Sequence, residues 1–243
     1  MINQIIHGDC LKVMPNIPDG SVDMILCDLP YGTTENKWDS VIPLDLLWLE
    51  YKRIIKDNGA IVLTAQTPFD KVLGTSNLEM LKYEWIWVKN KATGHLNANI
   101  SPLKAHENIL VFYKKPPTYN PQKTYGHKPV NCYKKSAGDG SNYRKTKLDI
   151  EGGGQTDRYP TDVLYFPMDK ERYHPTQKPV ALFEYLIKTY SNEGDLILDN
   201  CVGSGTTPVA AASLNRNFIG IDIERDYVDI SKKRLENVQL RIL

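Results

Sequence analysis

Asp28-Leu29-Pro30-Tyr31 puts an acid, a constrained backbone and an aromatic ring together, directly after the apolar run Val22 to Cys27. Such a set can hold a planar ring that bears an amine. A carboxylate and a carbonyl accept its N–H bonds while the tyrosine covers its face. An ordinary strand-to-loop turn gives the same letters, because Asp and Pro favour such turns. The four residues alone do not decide between the two.

A second set stands near the other end of the chain, at Asp199-Asn200-Cys201-Val202-Gly203-Ser204-Gly205-Thr206-Thr207. Glycines here permit a tight turn and close approach of backbone to a ligand. Asp222, 17 residues beyond Gly205, ends the next strand-like run, where an acid can take both hydroxyls of a ribose. The loop has no Gly-Lys-Ser/Thr and no third glycine, which excludes a phosphate-cradling nucleotidase loop and the dinucleotide pattern. A nucleoside-binding turn and a plain strand–turn–helix both remain open.

A third set is defined by charge. The chain has a net charge of only +1, yet Lys114 to Lys147 holds nine basic residues against one acid, Asp139, leaving −7 for the remainder. Tyr119, Tyr125, Tyr133 and Tyr143 are interleaved with these lysines. A basic segment in a nearly neutral protein points to a polyanion at one face. Lys123, Lys128, Lys134, Lys135, Arg144, Lys145 and Lys147 are the candidate phosphate contacts; a merely solvated loop is the plain alternative.

The elements around these sets alternate strand and helix. Ile2 to His7, Val22 to Cys27, Ala60 to Ala65, Glu84 to Val88, Asn108 to Tyr113, Asp195 to Leu198 and Asn217 to Ile221 read as strands. Several are continuously apolar, as strands covered on both faces are. Helices are expected from Leu11, from Pro43 with a stop at Asn58-Gly59, over Phe69 to Leu81, over Val180 to Tyr190, over Pro208 to Leu214 and from Arg225 to Leu240. The fold class is therefore α/β, a mostly parallel sheet with helices on both faces. It brings Asp28 and Asp199 to carboxyl ends of strands, where open sheets bind ligands. The pattern lapses over residues 114–172, which contain Gly152-Gly153-Gly154 and read as an insertion.

The 243 residues suit one globular domain with an insertion, and 41% hydrophobic with 24% charged residues is ordinary for a folded soluble chain. Cys10, Cys27, Cys132 and Cys201 are scattered, as are the five histidines, so no metal site and no disulfide framework is expected. No leader or membrane-spanning run is apparent, and a cytoplasmic protein with reduced thiols is the expectation.

Taken together and in order, these motifs resemble the S-adenosylmethionine-dependent amino-group DNA methyltransferases of the beta class. In that permuted family a D-P-P-Y catalytic motif comes first, a target-recognition insertion follows, and a D-x-F-x-G-x-G-T-T cofactor loop comes last. The counterparts are DLPY at 28–31, the basic insertion, and DNCVGSGTT at 199–207; HPTQKP at 174–179, Gly8-Asp9 and Gly220-x-Asp222 also match. The resemblance implies a Rossmann-like methyltransferase fold, with residues 1–113 and 173–243 forming the catalytic domain and 114–172 the target-recognition region. Two departures stand out: Leu29 replaces a proline, and Asn200-Cys201-Val202 replaces a stretch that commonly holds proline and phenylalanine.

For individual residues, the resemblance implies that Asp199, Gly203, Ser204, Gly205, Thr206 and Thr207 surround the methionine part of the cofactor, with Thr176 and Lys178 on the same side. Asp222 takes the ribose, with Glu224 close by, and Asp9 with the Cys10 backbone takes the adenine. Asp28 and the Leu29 carbonyl receive the two N–H bonds of the target amine, Pro30 keeps Leu29 extended, and Tyr31 stacks on the base. The implied activity is methylation of the N6 amine of adenine in a short site of double-stranded DNA, with N4-cytosine methylation the runner-up. RNA or protein methylation and a non-catalytic DNA-binding relic stand lower. A homodimer and a cognate restriction endonuclease are partners that the resemblance leaves open.

Overall fold

Successive residues of a strand face opposite sides of a sheet, so a strand with no polar positions needs cover on both faces. The computed structural model of the protein, which describes residues 1–32, 39–135, 150–171, 173 and 176–242, supplies that cover as two helical layers. The elements run β1 (Gln4–His7), α1 (Cys10–Val13), β2 (Val22–Asp28), α2 (Leu44–Ile54), β3 (Ile55–Ala65), α3 (Phe69–Thr75), β4 (Leu81–Thr93), β5 (Lys104–Phe112), β6 (Tyr133–Lys135), β7 (Ile150–Gly152), β8 (Val163–Tyr165), α4 (Val180–Tyr190), β9 (Leu196–Asp199), α5 (Thr206–Ser213), β10 (Asn217–Asp222) and α6 (Arg225–Ile242).

Eight strands form one sheet in the order β1-β10-β9-β2-β3-β5-β4-β8. All neighbours are parallel except β5, which runs against both β3 and β4. Ile25 and Cys27 of β2 face one layer with Leu47 and Tyr51 of α2 and Leu73 of α3. Met24 and Leu26 face the other, with Leu182 and Leu186 of α4, Ala210 of α5 and Val228 of α6. Full burial of each such Leu or Ile stabilises the fold by roughly 1.5–3 kcal/mol.

Strand order fixes where a ligand can enter. From β9 the chain moves through α5 to β10 on one side; from β2 it moves through α2 to β3 on the other. The order reverses between β9 and β2, and crevices open at such switch points beyond the carboxyl ends of the strands. Asp199 ends β9 and Asp28 ends β2.

Several expected boundaries moved, and β4 and β5 both begin earlier than Glu84 and Asn108. α2 passes directly into β3 at Ile55, and Asn58-Gly59 does not stop a helix. It lies instead where the register with β2 slips, between the pairs Val22–Ile55 and Met24–Ala60. A Cβ on Gly59 would stand 2.7 Å from the Asp23 carbonyl oxygen, so only glycine passes there without displacement. α3 ends at Thr75 and not at Leu81, because β4 already begins at Leu81.

Residues 121–161 form a compact unit of their own, apart from the unit made by 1–120 and 162–243. In it β6 and β7 pair antiparallel, and Thr124 bridges to Arg158. Residues 114–120 and 162–171, read from sequence as parts of the insertion, lie in the larger unit, where β8 pairs with β4.

Candidate active site

Asp28 leaves the end of β2 with both carboxylate oxygens engaged. Oδ1 accepts from the Tyr31 hydroxyl at 2.6 Å and from the Thr64 hydroxyl on neighbouring β3. Oδ2 accepts from the Lys178 ammonium at 2.5 Å. Leu29 turns its side chain into the core, so what that position can offer a ligand is backbone. The Tyr31 ring stacks on Phe69 with centroids 5.3 Å apart. Burial, followed by the Asp28 charge, pushes the Tyr31 phenol well above its ordinary range and keeps it a donor.

Lys178 was expected beside the cofactor loop. Its carbonyl accepts from Thr206 of that loop, while its ammonium is buried between two carboxylates, Asp28 and Glu107, the latter at 3.3 Å. Glu107 in turn binds the Lys89 ammonium at 2.6 Å and the Gln66 amide at 2.7 Å. Burial opposes charge on Lys178, but Asp28 and Glu107 outweigh it and hold the lysine above its ordinary range. Burial likewise opposes the Glu107 charge, and Lys178 and Lys89 overcome it, leaving that carboxyl below its usual range. Sequence reasoning missed Glu107, Lys89, Thr64 and Gln66. They converge only because antiparallel β5 brings Glu107 opposite Trp87 in the middle of β4, next to the pair Asn108–Ala65 at the carboxyl end of β3.

On the other side of the switch point, Asp199 accepts from the Cys201 backbone N–H at 3.0 Å and the Thr207 hydroxyl at 2.5 Å. Burial raises its pKa to about 7 despite these bonds. The loop after it is held from behind. The Ser231 hydroxyl donates to the Gly203 carbonyl at 2.7 Å, and Arg234 donates to the Ser204 carbonyl at 2.6 Å. Gly203 and Gly205 have φ of +51° and +91°, and a Cβ on Gly205 would lie 2.7 Å from the Ser231 hydroxyl oxygen. Ser204 and Thr206 are buried and bond to Gln177 and to the Lys178 carbonyl. Asn200 accepts from the Tyr51 hydroxyl, and buried Val202 packs against Gly220, so the departures at 200–202 are filled locally.

Asp222 accepts the Gly203 N–H at 2.7 Å on one oxygen and the Glu224 N–H at 2.9 Å on the other. Burial raises its pKa, against those two bonds. Asp9 caps α1 by accepting from Leu11 at 3.0 Å, and Cys10 opens that helix. Asp9, Cys10, Asp28, Leu29, Pro30, Tyr31, Thr176, Lys178, Asp199, Gly203, Ser204, Thr206 and Asp222 all line one cavity of about 800 Å³; Gly205 and Thr207 stand behind its wall. His174 and Pro175 lie outside the described residues.

In the 121–161 unit, Lys123 is tied to Asp157 at 2.7 Å and lies over the Tyr159 ring, and Lys134 pairs with Glu151 at 2.7 Å. Lys128 is exposed and Lys135 ends β6. Arg144, Lys145 and Lys147 lie outside the described residues. Among the described residues, no cluster of three His, Cys, Asp or Glu side chains is set to hold a metal ion. No helix among them is long and apolar enough to cross a membrane.

A mostly parallel sheet with a glycine turn on one side of its switch point and an acid-x-Pro-Tyr motif on the other defines a Rossmann-like methyltransferase. The family described as DNA methylase, of N6 and N4 type, matches residues 22–233, and the chain belongs to it. It is similar to the type II methyltransferase M.HpaI of Haemophilus parainfluenzae, 30% identical over 251 residues that cover 98% of this chain and 75% of that protein. It is as similar to the DNA adenine methyltransferase YhdJ of Escherichia coli K12, 30% identical over 257 residues that cover 96% and 82%. Among solved structures, the M1.HpyAVI–SAM complex matches with a TM-score of 0.65 and 27% identity over 96% of this chain and 99% of that one. The cytosine-N4-specific PvuII DNA methyltransferase matches at 0.66 over 98% and 91%, with 14% identity, a likeness of fold alone.

Proposed function

We propose that the protein transfers a methyl group from S-adenosylmethionine to the exocyclic N6 amine of adenine in a short site of double-stranded DNA. One observation carries this reading: a single cavity is lined by Asp28 to Tyr31 and by Asp199 to Ser204 with Thr206. The residues fit the cofactor. Gly203 lines the cavity with open space where a Cβ would stand, Gly205 lets the loop pack on Ser231 behind it, and Asp199, Asp222, Glu224 and Asp9 supply acceptors around the cavity. Bound there, the cofactor supplies an electrophilic methyl on a positively charged sulfur.

The chain's own residues act on the amine. Its lone pair is delocalised into the base and is a poor nucleophile. Asp28 and the Leu29 carbonyl accept its two N–H bonds, favour a pyramidal nitrogen, and are placed where positive charge develops. Tyr31, braced by Phe69, stacks the base, which leaves the duplex to reach the cavity. Holding donor and amine at near-attack distance does the rest. The 121–161 unit, with eight basic and four acidic residues, serves target recognition through phosphate contacts and base-edge readout. Similarity to type II enzymes supports a cognate restriction endonuclease as functional partner, and light scattering of the purified protein reads homodimer against monomer.

The test is incubation with methyl-labelled cofactor and duplex DNA, followed by nucleoside analysis. Label in N6-methyladenine is expected. Label only in N4-methylcytosine moves the target to the other base with the chemistry unchanged, and label in RNA or protein but not DNA refutes the reading.

A further inference from the structure

The catalytic carboxylate already holds three donors. Asp28 Oδ1 takes two hydroxyls, from Tyr31 and Thr64, and Oδ2 takes the Lys178 ammonium at 2.5 Å. One acceptor position is left on Oδ2, and an amine that takes it shares the oxygen with an ammonium whose charge opposes the positive charge developing on the amine. The two hydroxyl oxygens lie 3.2 Å apart with both protons directed at Oδ1, and Tyr31 is braced by Phe69. Lys178 is the donor with somewhere else to go. Its ammonium is 3.3 Å from Glu107 Oε2, a buried oxygen with no aligned hydrogen bond, whereas Oε1 is served by Lys89 and Gln66. Its backbone is fixed, since the Lys178 carbonyl accepts from Thr206 and Pro179 caps α4. Side-chain torsions alone can carry the ammonium across.

Resting on the methyltransferase reading above, we propose that Lys178 is a movable cap on Asp28 and that Glu107 is the berth to which it withdraws when the target amine enters. The ammonium then leaves Asp28 Oδ2 for Glu107 Oε2, and Oδ2 receives the amine N–H. The charge balance of the buried cluster is unchanged by the move, because the pairs Asp28–Lys178 and Glu107–Lys89 carry no net charge in either arrangement. Asp28 is the most exposed of the three groups, with its side chain 24% accessible against 5% for Lys178 and 6% for Glu107. The incoming base therefore meets Asp28 before the berth. Glu107 is thus a positioning residue that acts through Lys178. A Glu107→Gln protein keeps the shape of the berth and loses its charge, so the cap stays on Asp28.

The experiment compares methyl transfer to DNA by the wild-type, Glu107→Gln, Lys178→Met and doubly substituted proteins, with cofactor affinity measured in parallel. Glu107→Gln is expected to lower kcat about tenfold or more, the effect of misplacing one charge-assisted hydrogen bond, with cofactor affinity unchanged. Adding Lys178→Met to it removes the cap that has no berth, and is expected to restore part of that loss. A double variant no faster than Glu107→Gln, or a Glu107→Gln protein as fast as wild type, overturns the proposal. A second measurement needs no variant: the structure of the wild-type protein with a flipped target base and the demethylated cofactor. Lys178 Nζ nearer to Glu107 than to Asp28 supports the withdrawal; an ammonium still on Asp28 Oδ2 overturns it. Wild-type protein that transfers no methyl group to DNA is a separate result, which defeats the functional reading itself.

Discussion

Cofactor binding should release a proton from Asp199. Burial raises this carboxyl from the ordinary 3.8 to about 7, although Thr207 and the Cys201 N–H donate to it. The difference corresponds to about 4 kcal/mol favouring the neutral acid in the free protein, as an upper bound. A bound cofactor brings a sulfonium and an ammonium, which favour the ionised form. Affinity should then follow the ionised fraction and weaken about tenfold from pH 8 to pH 6. The sign for folding is opposite. Between pH 3.8 and about 7 the folded chain holds a proton that the unfolded chain has lost, so this group's contribution to stability declines as pH rises through that window. Isothermal titration calorimetry of cofactor binding across this range, in buffers of different ionisation enthalpy, reads both affinity and proton release. An Asp199→Asn protein supplies the control and should lose the pH slope. Affinity that is flat from pH 6 to 8, or an equal slope in the variant, refutes the reasoning.

Gly205→Ala adds a Cβ 2.7 Å from the Ser231 hydroxyl and 3.0 Å from its Cα, at a φ of +91°. It should cost about 2 kcal/mol or more and weaken cofactor binding beyond detection at ordinary concentrations; thermal melts and titration check both. Tyr31→Phe keeps the stack on Phe69 and loses the 2.6 Å bond to Asp28, so kcat should fall by about tenfold, whereas Tyr31→Ala should fall further in the same assay. Lys128→Ala should weaken DNA binding at low salt and lower the dependence of log affinity on log salt by roughly one contact, as read by fluorescence anisotropy at several salt concentrations.

Much of the fold was written in local pattern. Apolar runs such as Met24 to Cys27 become strands with both faces covered and end at Asp28 and Asp199 as local pattern predicts, while the switch point between them is made by the pairing of β2 with β9. The boundaries that moved are those where distant packing overrides a local signal. Asn58-Gly59 has the letters of a helix stop, yet the pairing of β2 with β3 turns it into a register slip against the Asp23 carbonyl. The site was legible as motifs and not as a network. Lys178 reaches Asp28 across 150 residues, and Glu107 meets Lys178 only because β5 runs antiparallel beside β3. No spacing rule encodes such meetings, which depend on strand order. The same holds for Asp222, whose carboxylate braces Gly203 and Glu224 in addition to any role toward a ribose.

The central claim is that one cavity joins a cofactor loop to an amine-holding carboxylate at Asp28. Its most direct test is transfer of a labelled methyl group from cofactor to duplex DNA by wild-type and Asp28→Asn proteins, with cofactor affinity measured for each. Asp28→Asn should bind the cofactor within about twofold of wild type and transfer the label at least about a hundredfold more slowly. Transfer at the wild-type rate by that variant, or none by the wild-type protein, would contradict the account.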